Sequence, residues 1–537
     1  MLSEEQQTCF AALRRQLIAR EFSHMNPRQL EGVLATEGPL LLLAGAGSGK
    51  TTVLIHRIAN LLRYGKGSDC QEVPDYVTQE DLAFLEGYAQ TQNPTEQETS
   101  RANLLCAVEP AAPWQVIAIT FTNKAAGELK ERLEQRIGPQ ALDIWAATFH
   151  SACVRILRRD IEKLGFPSSF TIYDTDDSLR VIKESLKELN LDDKSFPPRT
   201  VLGYISRAKD EMLLAPEFMD QCRAKGDFRL QKIANVYLAY QKKLWAAGAL
   251  DFDDIILHTV RLLQQFPEVR EYYQRKFRYV LIDEYQDTNH LQYLLAALLA
   301  GSRKNICVVG DDDQSIYRFR LADPTIFLNK YERFAQGDEA EEGQPRKRVM
   351  SRNFRSRREI LDAANFVCAN LMSPEVGEMA YTEDEALHFG AEYYVERSGC
   401  DTEFYLVDHP KKDAEAEAKE EVKCAETEAR FVACRIRALL DEPFLVQDEA
   451  GGLRPVREED IVILLRSPGA RQKLYERVLS EQRIACSAEG GEEFFSAMEV
   501  AVVYAMLQLI DNPHQDVPLI SVLRSPVFAF APDRLAE

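Results

Sequence analysis

Two apolar segments that each end in acidic residues constrain this 537-residue chain more than any other feature. One runs into Asp283 and Glu284, and the other, Ile306–Val309, runs into a Gly-Asp-Asp-Asp-Gln stretch that ends at Gln314. Buried strands that end side by side in carboxylates suit a site for phosphate and magnesium. Because such strands alternate with helix-like segments, we predict an α/β fold with a parallel sheet.

A glycine-rich loop follows the apolar run Leu40–Leu43 and opens a helix-like segment. Backbone N–H groups of such a loop can approach phosphate oxygens, and the helix N-terminus favours their charge. We predict that Lys50 binds the β- and γ-phosphates of ATP and that Thr51 binds Mg²⁺. The alternative is a glycine-rich turn without a ligand. The predicted nucleotide-binding residues of this loop are Ala44, Gly45, Ala46, Gly47, Ser48, Gly49, Lys50, Thr51 and Thr52.

Five further side chains are candidates for nucleotide chemistry. Asp283 is expected to hold Mg²⁺, and Glu284 to act as general base on the attacking water. Gln314 is expected to orient that water or sense the γ-phosphate, and Arg355 to reach the γ-phosphate across a domain cleft. Gln29 is suited to read adenine through both amide atoms. For Asp283 and Glu284 the alternative is a solvated acidic turn. For Arg355 the alternative is an ordinary surface arginine.

Aromatic and polar residues follow other predicted strands and suit contact with single-stranded nucleic acid. Each base stacked on an aromatic ring contributes ~1–3 kcal/mol. Core packing is an equally open alternative for every one of these aromatic rings. The predicted contacts are Phe121, Thr122, Asn123, Lys124, Thr148, Phe149, His150, Tyr317, Phe319 and Arg320.

Composition limits where such a site can lie. The net charge is −20, so nucleic acid must bind in a local channel rather than on a basic surface. The eleven cysteines contain no CxxC pair, which gives no support to a zinc or iron–sulfur site. Their odd number and the lack of a signal peptide predict the cytoplasm. No apolar run approaches the ~20 residues that cross a bilayer.

Together these motifs resemble superfamily 1 DNA helicases of the UvrD/Rep/PcrA type. The matching stretches are MNPRQ, AGAGSGKT, TFTNKAA, TFHS, LDFDD, DEYQDT, GDDDQSIYRFR and NFRS. The resemblance implies a motor that uses Mg-ATP to move 3′→5′ on single-stranded DNA and to open junctions of single- and double-stranded DNA, in repair or recombination. It also implies that Phe354 stacks on adenine.

The resemblance implies two RecA-like P-loop domains with helical insertions. Residues 1–150 and 250–325 would form domain 1A, with an acidic insertion at about 66–112, and 151–249 the helical subdomain 1B. Residues 345–510 would form a partial domain 2A with an acidic linker at 411–428, and 511–537 the start of subdomain 2B. Within 2A, the pattern predicts a first strand around Val349 and further strands at 403–408 and 460–465.

Residues after about 320, such as FRLADPTIFLNKY, are more similar to AddA, the helicase subunit of a helicase–nuclease. This suggests a hybrid chain or a nuclease partner subunit. The helicase motifs V and VI are not found, so the sequence predicts a C-terminally incomplete motor. An alternative function is therefore binding of ATP and single-stranded DNA without unwinding.

Overall fold

The computed structural model describes residues 2–311, 314, 324–336, 343–373, 381–383, 385–397, 399–408, 417–442, 444–448, 451–467, 469–487 and 497–536. The chain forms two compact units. The first comprises Met1–Asn353, Thr382–Leu387 and Asn512–Gln515, and the second comprises Phe354–Tyr381, His388–Asp511 and Asp516–Glu537. Among the described helices, none combines the length and the apolar character needed to cross a membrane.

The first unit is built on a seven-stranded sheet in which every neighbouring pair is parallel, in the order β3-β2-β6-β7-β1-β9-β8. Its central strands are apolar throughout, because helices cover both faces of a parallel sheet. The strands in the described residues are β1 (Leu40–Ala44), β2 (Val116–Thr120), β3 (Trp145–Thr148), β4 (Thr171–Ile172), β5 (Ala249–Leu250), β6 (Tyr279–Ile282), β7 (Ile306–Gly310), β8 (Ala335–Gln336), β9 (Arg346–Met350), β10 (Arg352–Asn353), β11 (His388–Phe389), β12 (Leu445–Gln447) and β13 (Leu453–Pro455).

Helices of the first unit cover the sheet and form a separate helical bundle. They are α1 (Glu4–Glu21), α2 (Pro27–Leu34), α3 (Lys50–Tyr64), α4 (Gln79–Gln90), α5 (Glu96–Cys106), α6 (Asn123–Ile137), α7 (Phe149–Asp160), α8 (Thr175–Glu188), α9 (Pro198–Asp210), α10 (Ala215–Lys225), α11 (Phe228–Ala246), α12 (Phe252–Gln265), α13 (Pro267–Lys276), α14 (His290–Ala300) and α15 (Pro324–Arg333).

The bundle consists of α8 to α11 and is inserted between α7 and α12. It has its own apolar core, which includes Ile205, Val236 and Leu244. The short parallel pair of β4 and β5 closes its base, so the chain leaves and re-enters the sheet domain at the same place. This bundle occupies the part of the chain in which the sequence analysis expected a helical subdomain.

The strand around Val349 lies in the first unit and not at the start of the second. It is β9, which pairs in parallel with β1 from Leu40↔Arg346 to Ala44↔Met350. The sequence pattern predicts it in a new domain, because a pairing partner some 300 residues away leaves no local signal. The first sheet therefore extends to residue 350, and the predicted boundary near 345 is too early.

The acidic segment at about 66–112 is part of the fold of the first unit. It forms α4 and α5, and Leu82, Leu85 and Leu105 join the core that also contains β1. The guanidinium of Arg14, fully buried on α1, holds the start of the segment by donating to the carbonyls of Cys70 at 2.6 Å and Glu72 at 2.8 Å. The charged side chains face water while one stripe of each helix is buried.

The second unit contains α16 (Arg358–Leu371), α17 (Glu417–Asp441), α18 (Gly469–Glu481), α19 (Met498–Asp511), α20 (Asp516–Arg524) and α21 (Pro532–Ala536). A small core forms where α17 packs on α18, with Ala433, Tyr475 and Val478 buried. The acidic stretch predicted to be a linker at 411–428 is helical from Glu417 onward. Its regular acidic and apolar spacing suits a helix better than a linker.

The strands predicted at 403–408 and 460–465 are not formed. Side chains from 461 to 465 alternate between half-buried and exposed, as in a strand, and Leu464 is 89% exposed. No neighbouring strand pairs with either segment among the described residues. Alternation sets which face a segment buries, but a strand also needs a partner for its backbone groups.

Candidate nucleotide and nucleic-acid site

Polar side chains gather where the parallel strands of the first unit end. The ends of β6, β7 and β1 are neighbours in the sheet, and they carry Asp283 and Glu284, then Asp311 and Gln314, then the glycine-rich loop. We call this the phosphate edge. The ends of β2 and β3 are the adjacent pair and carry residues 121–124 and 148–150; we call this the aromatic edge.

The glycine-rich loop has the backbone form of an anion cradle. Gly47 and Gly49 have φ of 68° and 85°, and the N–H of Ser48 donates to the carbonyl of Gly45 at 3.1 Å. No side chain caps the first turn of α3, so its N–H groups stay available for an anion. The Ser48 hydroxyl is buried and has no hydrogen-bond partner among the described residues. These features fit a bound phosphate chain.

Gly49→Ala should weaken ATP binding about tenfold: the ligand-free loop can relax away from the left-handed backbone, and ATP binding must then restore it at a cost of roughly 1–2 kcal/mol for a non-glycine residue. An added Cβ would also lie 2.7 Å from Nε2 of Gln29. Equilibrium titration with a fluorescent ATP analogue measures the effect. Gly87→Ala on α4 is the control, because nothing lies within 4 Å of its added Cβ. Unchanged affinity in the Gly49 variant would show that the loop takes another backbone form when ATP binds.

The side chain of Gln29 binds the backbone of the glycine-rich loop. Its Nε2 donates to the carbonyl of Ser48 at 2.7 Å, and its Oε1 accepts from the N–H of Asn26 at 3.3 Å in the capping box of α2. Both amide atoms are therefore engaged within the protein. Reading adenine through both atoms would require these two bonds to break, and that role stays a prediction.

A continuous chain of hydrogen bonds crosses the phosphate edge. The ammonium of Lys50 lies 2.9 Å from Oε2 of Glu284, and Nε2 of Gln286 donates to the same oxygen at 2.8 Å. Oε1 of Gln286 accepts from the N–H of Asp311 at 3.0 Å, and the Gln314 amide donates to the Asp311 carboxylate. The side chains predicted from the two acidic strand ends are thus linked, and Gln286 and Asp311 are the links that sequence reasoning did not single out.

Asp283 is a buried carboxylate beside a second carboxylate. Burial, and then the charge of Glu284, raise its pKa from 3.8 to about 6, while Lys50 opposes the shift. Its Oδ1 accepts from the N–H of Glu284 at 3.0 Å, and Glu284 itself has a φ of 50°. A divalent cation would relieve the unfavourable charge of this pair, so the donor set fits Mg²⁺. The Thr51 side chain, half-buried in the first turn of α3, is the second predicted ligand, and exposed Thr52 follows it.

Asp283→Asn should stabilise the ligand-free protein by about 2–3 kcal/mol at neutral pH. Between pH 3.8 and about 6, the folded chain keeps a proton on Asp283 that the unfolded chain has lost, so stability falls as pH rises through this window. An asparagine at this position carries no proton that can be lost, so the variant does not show this fall in stability. Urea unfolding at pH 4 and pH 7 tests this, with exposed Asp143→Asn as control. An asparagine variant no more stable than the parent at pH 7 would contradict the raised pKa.

Met350, the last residue of β9, and Asn353, three residues further on, contact the glycine-rich loop. The N–H of Gly45 donates to the carbonyl of Met350 at 3.2 Å, and Nδ2 of Asn353 donates to the carbonyl of Ala46 at 2.6 Å. This role of Asn353 was not predicted, although Asn353 stands directly before Phe354 in the NFRS stretch. Phe354 and Arg355 belong to the second unit, and their roles toward the nucleotide stay predictions.

At the aromatic edge, one of the two predicted stacking rings belongs to the core. Phe149 is only 2% exposed and belongs to the apolar core that also contains Ile119, Cys153 and Ile282. Phe121 is half-buried and packs edge-on against Phe149, with ring centroids 5.6 Å apart. Direct base stacking by Phe149 is therefore wrong for this structure, because the first helical turn after β3 points this ring into the core. Phe149 supports Phe121 instead.

The polar residues of the aromatic edge divide into caps and exposed groups. Thr122 caps α6 by accepting from the N–H of Ala125 at 3.1 Å, and buried Thr148 caps α7 by accepting from the N–H of Ser151 at 3.2 Å. Asn123 and Lys124 are exposed on the first turn of α6, and His150 is half-buried. The remaining predicted contacts, Tyr317, Phe319 and Arg320, lie outside the described residues.

Comparison with known proteins gives consistent matches. Residues 25–71 and 99–335 match the UvrD/REP helicase N-terminal domain, and residues 349–537 match the UvrD-like helicase C-terminal domain. The chain is 39% identical to the ATP-dependent DNA helicase PcrA of Bacillus subtilis (strain 168) over 504 residues, 94% of this chain and 55% of that protein. It is 36% identical to PcrA of Staphylococcus aureus (strain Mu50 / ATCC 700699) over 96% of this chain and 57% of that protein. The chain spans about half the length of these curated relatives.

Two details of the matches bear on the sequence analysis. The N-terminal domain match is interrupted at 72–98, which contains all of α4 and the start of α5. The similarity to PcrA covers 94–96% of the chain and so continues well past residue 320, where the sequence analysis expected it to give way to AddA.

Proposed function

Because this chain belongs to the UvrD/REP helicase family, we propose that it is a DNA helicase that couples Mg-ATP hydrolysis to 3′→5′ movement on single-stranded DNA. The observation that carries the proposal is the chain of hydrogen bonds from Lys50 to Gln314 across three neighbouring strand ends. The parallel sheet with a glycine-rich loop after β1 is the RecA-like P-loop fold of this family.

The phosphate edge supplies residues for each part of the hydrolysis. ATP, when bound, supplies the phosphoanhydride bond that water cleaves, and Mg²⁺ neutralises its charge. Lys50 would exchange the Glu284 carboxylate for the β- and γ-phosphates, and Asp283 and Thr51 would hold Mg²⁺. Glu284, released from Lys50, would then accept a proton from the attacking water. Gln314 is connected to Glu284 through Asp311 and Gln286, which lets a group near the γ-phosphate affect the base.

The backbone joins the phosphate edge to the aromatic edge. The N–H of Asp283 donates to the carbonyl of Ile119 at 2.9 Å, and Ile119 lies two residues before Phe121. A change at the buried carboxylate can therefore reach the end of β2 through one hydrogen bond. Phe121, Asn123, Lys124 and His150 are the groups we propose for base stacking and phosphate contact, and as a local patch they suit a chain of net charge −20.

Several finer parts of the function stay predictions. They are action at junctions of single- and double-stranded DNA, a role in repair or recombination, and a cytoplasmic location. A nuclease partner subunit was predicted from the AddA-like sequence after residue 320. The similarity to PcrA across that region does not favour such a partner.

ATP hydrolysis by this chain, with and without single-stranded DNA, tests the proposal. DNA-stimulated hydrolysis that is lost in Lys50→Ala supports a motor whose phosphate edge couples to DNA. Strand separation is then measured on a duplex with a 3′ single-stranded tail, beside one with a 5′ tail. Binding of ATP and DNA without any hydrolysis would overturn the motor and leave a module that binds both ligands.

A further inference from the structure

A cluster of charged side chains lies fully buried at the base of the helical bundle. The ammonium of Lys209 has no exposed surface and lies 2.6 Å from Oδ2 of Asp251 and 2.8 Å from Oδ1 of Asp254. The Tyr240 hydroxyl donates to Asp251 at 2.7 Å, and Nε2 of Gln241 donates to both oxygens of Asp254 at 3.1 and 3.2 Å. The ammonium of Lys209 and the carboxylates of Asp251 and Asp254 thus all have partners of opposite charge or suitable hydrogen-bonding type.

The stability of the fold alone does not explain such a buried charge cluster. Moving charges out of water is unfavourable enough that well-packed apolar residues of the same volume often stabilise a protein equally well or better. Burial by itself would lower the pKa of Lys209, but the carboxylates of Asp251 and Asp254 raise it well above its usual value. Lys209 therefore stays charged, and its two contacts define one geometry.

The cluster joins the helical bundle to the helix that re-enters the sheet domain. Lys209 lies at the end of α9 and Tyr240 on α11, whereas Asp254 lies in the first turn of α12. Asp251 is the N-cap of α12 and forms a capping box with Asp254, whose N–H donates to it at 2.8 Å. The same two carboxylates thus start α12 and bind the bundle, so the start of α12 cannot move without the bundle.

The first turn of α12 also contacts the aromatic edge. The Phe252 ring, 49% exposed, packs edge-on against the His150 ring with centroids 5.5 Å apart. Asp253 accepts a hydrogen bond from the Ser206 hydroxyl on α9. Burial lowers the pKa of His150, and the nearby Asp253 carboxylate opposes that shift. Of the two residues between the carboxylates of the cluster, Phe252 therefore contacts His150 through its ring, and Asp253 lies near it as a negative charge.

We propose that Lys209 is a positioning residue for DNA binding: by tying Asp251 and Asp254 to α9, it holds the Phe252 ring against His150 at the aromatic edge. This inference rests on the proposed function, because DNA contact at the aromatic edge is part of that proposal. Ser206 completes the arrangement from α9. The helical bundle then sets the geometry of the DNA-binding surface without itself carrying the contact.

The test compares affinity for single-stranded DNA with affinity for ATP. Fluorescence anisotropy of a labelled oligonucleotide measures the first, and a fluorescent ATP analogue the second. Lys209→Met removes the buried ammonium, and Ser206→Ala removes only the hydroxyl that binds Asp253. Lys243→Met is the control, because it removes the same charge from the same bundle, where Lys243 pairs with Glu188 at the surface.

Lys209→Met is expected to weaken DNA binding about tenfold and Ser206→Ala about threefold, while ATP affinity changes by less than about twofold. Lys243→Met is expected to match the parent chain. If Lys209→Met does not fold, Ser206→Ala decides the matter, because its small change leaves the cluster itself intact. Parental DNA affinity in Ser206→Ala, or equal loss of DNA and ATP binding in a folded Lys209→Met, would overturn the inference. A parent chain that binds no DNA would instead overturn the proposed function.

Discussion

Replacing Glu284 by glutamine should lower ATP hydrolysis by about 10²–10⁴-fold, the range that a positioned general base contributes. Glutamine keeps the shape of the side chain and can still accept from Gln286, but it cannot take a proton from water. ATP affinity should stay the same or rise up to about fivefold, because Lys50 no longer has to leave a carboxylate whose ion pair contributes ~0.2–1 kcal/mol. Phosphate release at saturating ATP and single-stranded DNA measures the first effect.

The control for this experiment is a second glutamate in a similar ion pair. Glu268 lies 2.9 Å from the ammonium of Lys163, the same N···O distance as between Glu284 and Lys50, but on the surface of the first unit. Glu268→Gln should hydrolyse ATP at the parental rate. If Glu284→Gln kept more than about a tenth of the parental rate, another group would have to be the base, and the assignment of Glu284 would be wrong.

Lys209→Met should destabilise the first unit by about 3–5 kcal/mol, because it leaves two buried carboxylates without their cation. The loss is far larger than for a surface lysine, since neither Asp251 nor Asp254 is reached by water to any useful extent. Urea unfolding followed by far-ultraviolet circular dichroism measures it, with Lys243→Met expected to change stability by less than about 1 kcal/mol.

The double variant Lys209→Met/Asp254→Asn separates charge from shape. It removes one positive and one negative charge, so the cluster keeps the net charge that it has in the parent chain. Much of the lost stability should return, because fewer unpaired charges are buried. A double variant as unstable as Lys209→Met would mean that the packing of the lysine stem, rather than the ion pairs, carries the stability.

Local patterns were enough to predict the phosphate edge. Lys50 follows a glycine-rich loop between an apolar strand and a helix, and Asp283 and Gln314 follow strands whose ends must meet at one edge of a parallel sheet. The helical bundle was predictable for the same reason, since its helices repeat apolar residues every three to four positions. These features depend on residues that are close in sequence, so the sequence contains their whole signal.

Other features depend on which distant segments meet, and the sequence left them open. Aromatic residues after a strand can face either core or solvent, and only packing around α7 decided that Phe149 is core while Phe121 lies at its margin. The sequence pattern of the strand at Arg346–Met350 fits either unit, and only its pairing with β1 assigns it to the first. The segments at 403–408 and 460–465 have strand patterns, yet a strand forms only where a partner satisfies its backbone.

The sequence by itself therefore determined the class of fold, the glycine-rich loop and the acidic strand ends, because strand and helix periodicity and the conformational needs of glycine are local properties. Only the tertiary structure decided that Gln29 and Asn353 hold this loop and that Gln286 and Asp311 connect Glu284 to Gln314. It likewise decided that Lys209 meets Asp251 and Asp254, whose charges lie some 40 residues away along the chain. Such contacts are set by the packing of whole helices, and no spacing of residues encodes them.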